Sequence, residues 1–137
     1  MEVKYLLDTS AVITYFSGED GSENVKNLFS KSKKGEIEVL LPYIALIEFY
    51  YVNFKRIGED CANQRYVYLK SLPVSIIDEI SEPYLIQSAR LKAQYSISLA
   101  DALIASYALL EDAVLVHKDK EYLALEKEIK LMTLPLK

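Results

Sequence analysis

Short apolar runs alternate along this chain with longer stretches in which apolar residues return every three or four positions. Val3 to Leu7 is an apolar run ended by Asp8 and reads as a buried strand. Gly18-Glu19-Asp20-Gly21 is a turn, after which Ser22 stands where it would cap a helix with the apolar face Val25, Leu28 and Phe29. Ile37 to Leu41 is a second strand, stopped by Pro42. Tyr43 to about Phe54 is a strongly apolar helix, and Gly58 separates it from another that runs to about Leu72. Val74 to Ile77 is a third strand. Ser81 with Pro83 opens a helix reaching about Tyr95, and Ser98 opens the next, in which Leu99, Ala102, Leu103, Ser106 and Leu110 share one side. Ala113 to Val116 is a strand followed by a short helical segment from about Lys120, and Ile129 to Met132 is the last strand.

Strands thus alternate with helices, and the strands are continuous apolar runs rather than alternating ones. That pattern predicts an α/β fold, a central parallel β-sheet flanked on both faces by helices in three layers. No repeat, linker or low-complexity run interrupts it, so residues 1–137 read as one domain.

Composition narrows the function classes. Hydrophobic residues make up 51% and charged residues 26%, ordinary for a water-soluble globular chain. The single cysteine, Cys61, excludes an internal disulfide and a cysteine-based metal site, which points to a reducing compartment, most simply the cytosol. The opening residues have no basic region followed by an apolar core, so export is not expected. The most apolar stretch, Val39 to Phe54, is interrupted by Pro42 and Glu48 and is shorter than the ~20 residues needed to span a bilayer. The net charge of -4 argues against nucleic-acid binding through a large basic surface. One histidine and four scattered glycines leave little room for Ser-His-Asp catalysis, a phosphate loop or a dinucleotide fingerprint. His117 reads as a partly exposed polar residue. The eleven tyrosines have faces suited to base stacking, but most sit at helical spacing beside Leu and Ile and read as core or dimer contacts.

The carboxylates carry more information. In an open parallel sheet, ligands bind beyond the carboxyl ends of the strands, where Asp8 and Asp119 lie. If their strands are neighbours, both acids face one crevice. Each also has a structural reading, since Asp8 precedes a helix it would cap, and Asp119 would cap the segment after it. Glu48 is the only charge between Val39 and Phe54, and an ionised side chain there must reach a cleft or a partner such as Lys55 or Arg56. Asp101 fits the acid position of a capping box that begins at Ser98, while a helix N-terminus also suits a functional carboxylate.

These residues fall into a recognisable pattern: Leu6-Leu7-Asp8-Thr9-Ser10-Ala11, then Ile47-Glu48 inside an apolar helix, then Leu99-Ala100-Asp101-Ala102-Leu103-Ile104-Ala105, then His117-Lys118-Asp119 after a strand. In order, spacing and context the chain resembles PIN-domain proteins, especially the VapC-type toxins of prokaryotic toxin–antitoxin pairs, over nearly its whole length. The resemblance implies a PIN-like sheet with flanking helices. It also implies that Asp8, Glu48, Asp101 and Asp119 bind Mg²⁺ or Mn²⁺, with Asp8 and Asp101 as the main ligands. The activity implied is endonucleolytic cleavage of single-stranded or loop RNA. The partners implied are a second copy of the chain and an antitoxin whose basic segment enters the acidic groove. His117 stands where the family often has Thr, a departure at the fourth acid. Hard divalent cations prefer carboxylate oxygen, so the residue types suit that chemistry. The reading from a different class is a PIN-like module that binds RNA or protein without cleaving.

Overall fold

A computed structural model describes residues 2–136 of the chain. Five strands form one parallel sheet: β1 (Val3–Leu7), β2 (Ile37–Pro42), β3 (Ser75–Ile77), β4 (Val114–His117) and β5 (Leu131–Thr133), in the order β3-β2-β1-β4-β5. The helices are α1 (Thr9–Ser17), α2 (Ser22–Lys33), α3 (Tyr43–Ile57), α4 (Glu59–Ser71), α5 (Glu82–Gln94) and α6 (Leu99–Leu110), with a 3₁₀ segment at Lys120–Leu125. This is the expected α/β fold, a central parallel sheet flanked by helices.

The apolar runs build both faces at once, because successive side chains of a strand point to opposite sides. Leu6, Leu40 and Leu115 face a core with Leu91, Ile104 and Tyr107 of α5 and α6. Their neighbours Leu7, Leu41 and Val116 face a second core with Val12, Phe29, Phe49 and Leu69 of α1 to α4. Leu6 and Leu7 are both fully buried, each burial stabilising the fold by about 1.5–3 kcal/mol.

One local expectation is corrected. Ser22 is the first residue of α2 rather than its cap, and Gly21 occupies the cap position with φ 101°. In α6 the buried residues are Ala102 and Ile104 to Ala108, whereas Leu99 and Leu110 are 67% and 42% exposed. The helix is covered both by the sheet and by α5, so burial runs around it instead of following one stripe.

Candidate active site at the carboxyl ends of β1 and β4

β1 and β4 are neighbours at the centre of the sheet, paired from Tyr5–Val114 to Leu7–Val116, and the Asp8 N–H donates to the Val116 carbonyl at 3.2 Å. The chain leaves β1 for β2 on one side while β4 lies on the other, so their carboxyl ends form the crevice that open α/β sheets use for ligands.

Asp8 does cap α1. Its Oδ1 accepts from the Ala11 N–H at 2.9 Å and from the Ser10 hydroxyl at 2.7 Å, while Oδ2 accepts no hydrogen bond among the described residues. The side chain is nearly buried, and burial raises its pKa to about 7. The hydrogen bonds from Ser10 and Ala11 oppose that rise, and the nearby charges of Asp101 and Asp119 add to it. Ser10 also ties the two strand ends together, since its oxygen accepts from the Lys118 N–H at 2.8 Å.

Only half of the capping box at the start of α6 is formed. Ser98 Oγ accepts from the Asp101 N–H at 3.1 Å, but the Asp101 carboxylate turns instead to the Tyr122 hydroxyl, which donates to Oδ1 at 2.9 Å. Partial burial raises the pKa of Asp101, the Tyr122 bond opposes this, and Asp119 adds to it. Tyr122 is fully buried, and its own pKa is pushed well above 10 by burial and then by the charges of Asp8, Asp101 and Asp119. It therefore stays protonated and remains a donor to Asp101.

Asp119 caps the 3₁₀ segment through Oδ1, which accepts from the Glu121 N–H at 2.9 Å. That turn brings Glu121 round, so that one carboxylate oxygen each from Asp101, Asp119 and Glu121 lie within 4.8 Å of one another. Glu48 reaches the site through α1: the Thr9 hydroxyl donates to its Oε1 at 2.6 Å. Neither Lys55 nor Arg56 forms an ion pair with Glu48 among the described residues. The structure thus gathers Asp101 and Asp119 tightly with Glu121, sets Asp8 within electrostatic reach of Asp101 and Asp119, and ties Glu48 to Thr9, the residue after Asp8.

His117 is fully buried, which corrects the expectation of partial exposure. Its Nδ1 accepts from the Asp119 N–H at 3.1 Å, so in the neutral ring Nε2 carries the hydrogen and donates to Thr133 Oγ1 at 2.8 Å. Burial lowers its pKa and favours that neutral form. The ring also packs edge-on against Tyr122, with centroids 5.1 Å apart. His117, Tyr122 and Glu121 carry no marking in the apolar pattern. Only the position of Glu121, two residues after Asp119, hinted at its place.

A central parallel sheet flanked by helices, with a cluster of carboxylates beyond the carboxyl ends of its central strands, defines an open α/β class of protein. The family model of the PIN domain matches residues 5–128, and the chain belongs to the PIN-domain family. Similar solved structures include VapBC2 from Rickettsia felis bound to a DNA fragment from its promoter. That match has 22% identity and a TM-score of 0.79, covering 97% of this chain and 100% of that one. DNA-bound VapBC from Salmonella typhimurium matches at 17% identity and TM-score 0.75, covering 96% and 98%. VapC20 of Mycobacterium tuberculosis, a toxin that cleaves the sarcin–ricin loop, matches at 15% identity and TM-score 0.67, covering 88% and 93%. No curated protein sequence matches the chain. No helix among the described residues is long and apolar enough to cross a membrane.

Proposed function

We propose that the protein is a metal-dependent endoribonuclease that cleaves single-stranded or loop RNA as the toxin of a toxin–antitoxin pair. The observation that carries this reading is the convergence of Asp101, Asp119 and Glu121, with Asp8 in electrostatic reach, beyond the carboxyl ends of β1 and β4. PIN-family membership and the likeness to VapBC structures support it.

The donor set suits a hard divalent ion such as Mg²⁺ or Mn²⁺, since it consists of carboxylate oxygens close enough to share one cation. Asp101, Asp119 and Glu121 would hold the ion, with Asp8 Oδ2 and Glu48 as the further carboxylates. A bound divalent ion supplies charge neutralisation at the scissile phosphate and activation of water for hydrolysis. The chain's own residues supply preorganisation. Tyr122 orients Asp101, His117 fixes the backbone at Asp119, and Thr9 keeps Glu48 turned toward the start of α1.

The antitoxin partner of this reading has a basic segment that enters the acidic crevice and apolar residues beside it. Tyr43, Ile47 and Tyr51 form an exposed stripe on α3, the helix that carries Glu48, and border a groove of about 590 Å³. A second copy of the chain is the other expected partner, and Leu85, Ile86 and Leu99 are exposed apolar residues on α5 and α6 suited to it.

The deciding experiment incubates purified protein with structured RNAs in Mn²⁺ and in EDTA. Wild type should cleave only with metal, and Asp8→Asn should keep the fold while losing cleavage by orders of magnitude. Equal cleavage by the variant, or in EDTA, overturns the reading. A wild type that binds RNA with no cleavage in Mn²⁺ makes the protein a non-cleaving module.

A further inference from the structure

Two of the chain's three arginines line one small pocket, and neither has a carboxylate partner among the described residues. The third, Arg90, is held by both oxygens of Glu128 at 3.0 and 2.8 Å. The pocket, about 250 Å³, lies where α1, α3 and α4 meet, and its walls include Ile13, Phe16, Asn53, Arg56 and Arg65. Arg65 Nη1 donates to Asn53 Oδ1 at 3.0 Å, and its guanidinium stands 5.9 Å from the centroid of the Phe16 ring. Asn53 is 5% exposed and spends its amide on the Phe49 carbonyl at 2.8 Å. A neutral amide and an aromatic ring therefore fix Arg65 in place without neutralising it. Arg56, in the last turn of α3, adds a second guanidinium.

A guanidinium offers five donors in one plane and grips phosphate or carboxylate oxygens in pairs. Arg65 uses one of those donors on Asn53. In a chain of net charge -4, two guanidiniums without a carboxylate partner at one pocket offer donors suited to an oxyanion.

The position of the pocket selects which oxyanion. Ile13 also lines the cleft of about 480 Å³ that Asp119 borders, so the two are adjacent along one side of α1. That helix has nine residues and is about 14 Å long at 1.5 Å per residue. The intervening cleft carries Lys118, taken by Glu19 at 3.2 Å, and Lys120, which has no ion pair among the described residues. The acid crevice itself repels a polyanion, so a strand entering it must be held by cations outside it.

We propose that the Arg56–Arg65 pocket is a subsite for a backbone phosphate of the RNA, displaced along α1 from the linkage that is cut. This rests on the ribonuclease reading above.

The test measures fluorescence anisotropy of a fluorescein-labelled single-stranded RNA of mixed sequence, titrated with the Asp8→Asn protein in Mg²⁺ over a range of KCl. Arg56→Ala and Arg65→Lys are compared with Lys55→Ala, an exposed cation next to Arg56 in sequence that does not line the pocket. Arg56→Ala should weaken binding several-fold and reduce the slope of log affinity against log salt by about 0.7, the value for one phosphate contact to a single strand. Arg65→Lys retains the charge and the aliphatic stem, so it should weaken binding with less change in slope. If Arg65→Lys fails to fold, Arg56→Ala decides alone. Lys55→Ala should bind like the parent. Binding by Arg56→Ala and Arg65→Lys that matches Lys55→Ala overturns the subsite alone and leaves the pocket to a carboxylate of a protein partner. An Asp8→Asn protein that binds no RNA at any salt overturns the ribonuclease reading and the subsite together.

Discussion

Asp8 lies 3% exposed at the end of β1, and burial lifts its pKa from the ordinary 3.8 to about 7. Between those values the folded chain keeps a proton that the unfolded chain has released. Stability of the metal-free protein should therefore fall as pH rises from about 4 to about 7 and level off above that. A rise of that size corresponds to roughly 4 kcal/mol at most. Asn caps helices as well as Asp does, so Asp8→Asn removes the titration while retaining the cap on α1. In EDTA, urea unfolding of wild type should show a midpoint dropping between pH 5 and pH 8, with a much flatter profile for Asp8→Asn. Parallel profiles would show that Asp8 is not the buried acid responsible. The cap reading and the site reading of this residue are thus both physical, since the cap uses Oδ1 and Oδ2 accepts no hydrogen bond among the described residues.

The elements around the site are braced by residues 134 and 135. Gly21 starts α2 with φ 101°, and a Cβ there would stand 3.0 Å from Pro135 Cδ and 3.1 Å from Leu134 Cβ. Leu134 is buried and donates its N–H to the His117 carbonyl at 2.8 Å, so displacing it disturbs the strand that carries His117. Gly18, the C-cap of α1, has φ 63° but open space around it. Gly18→Ala should cost about 1–2 kcal/mol, the penalty of left-handed backbone for a residue with Cβ. Gly21→Ala should cost clearly more, because the same backbone penalty is joined by steric displacement of Leu134 and Pro135. Chemical denaturation of the two variants measures both, and equal losses would mean that Leu134 and Pro135 give way freely. A turn at residues 18–21 was plain from Gly-Glu-Asp-Gly. Its contact with residues 134 and 135 was not, because local composition carries no information about a neighbour more than a hundred positions away.

For the whole molecule, three carboxylate oxygens within 4.8 Å of one another are a cluster of like charges that penalises the folded state, a penalty that a bound cation would relieve. A ligand that binds only the folded protein stabilises it by about 2.7 kcal/mol at a hundredfold excess over its dissociation constant. Melting curves should therefore show wild type gaining melting temperature in Mn²⁺ over EDTA. Asp101→Asn should be somewhat more stable than wild type in EDTA and gain little from Mn²⁺. If Asp101 supports only the start of α6, its loss should instead lower stability by roughly 0.3–1 kcal/mol and leave the Mn²⁺ response intact. The half-formed capping box, with its carboxylate turned to Tyr122, favours the first outcome.

The strands and their parallel sense were legible in the sequence because buried strands must be apolar on both faces. Leu6-Leu7 and Leu40-Leu41 supply one residue to each core. Asp8 at a strand end and Glu48 as the only charge between Val39 and Phe54 were legible for the same reason, since a charge among apolar residues needs a cause. The adjacency of β1 and β4 was not legible, because hydrophobic runs do not specify their pairing, and on it depends the approach of Asp8 to Asp101 and Asp119. Helical periodicity marked α6 as apolar but not its coverage on several sides, which α5 decides. A short helical segment after Asp119 was legible, but that its first turn brings Glu121 to Asp101 and Asp119 was not, because Asp101 comes from another helix. His117, a lone polar residue by composition, became a buried acceptor because Thr133 on β5 and the Asp119 N–H meet its two nitrogens. Sequence-local chemistry determined which residues could act, while long-range packing decided which of them meet, since distances across the fold are set by the sheet order and not by separation along the chain.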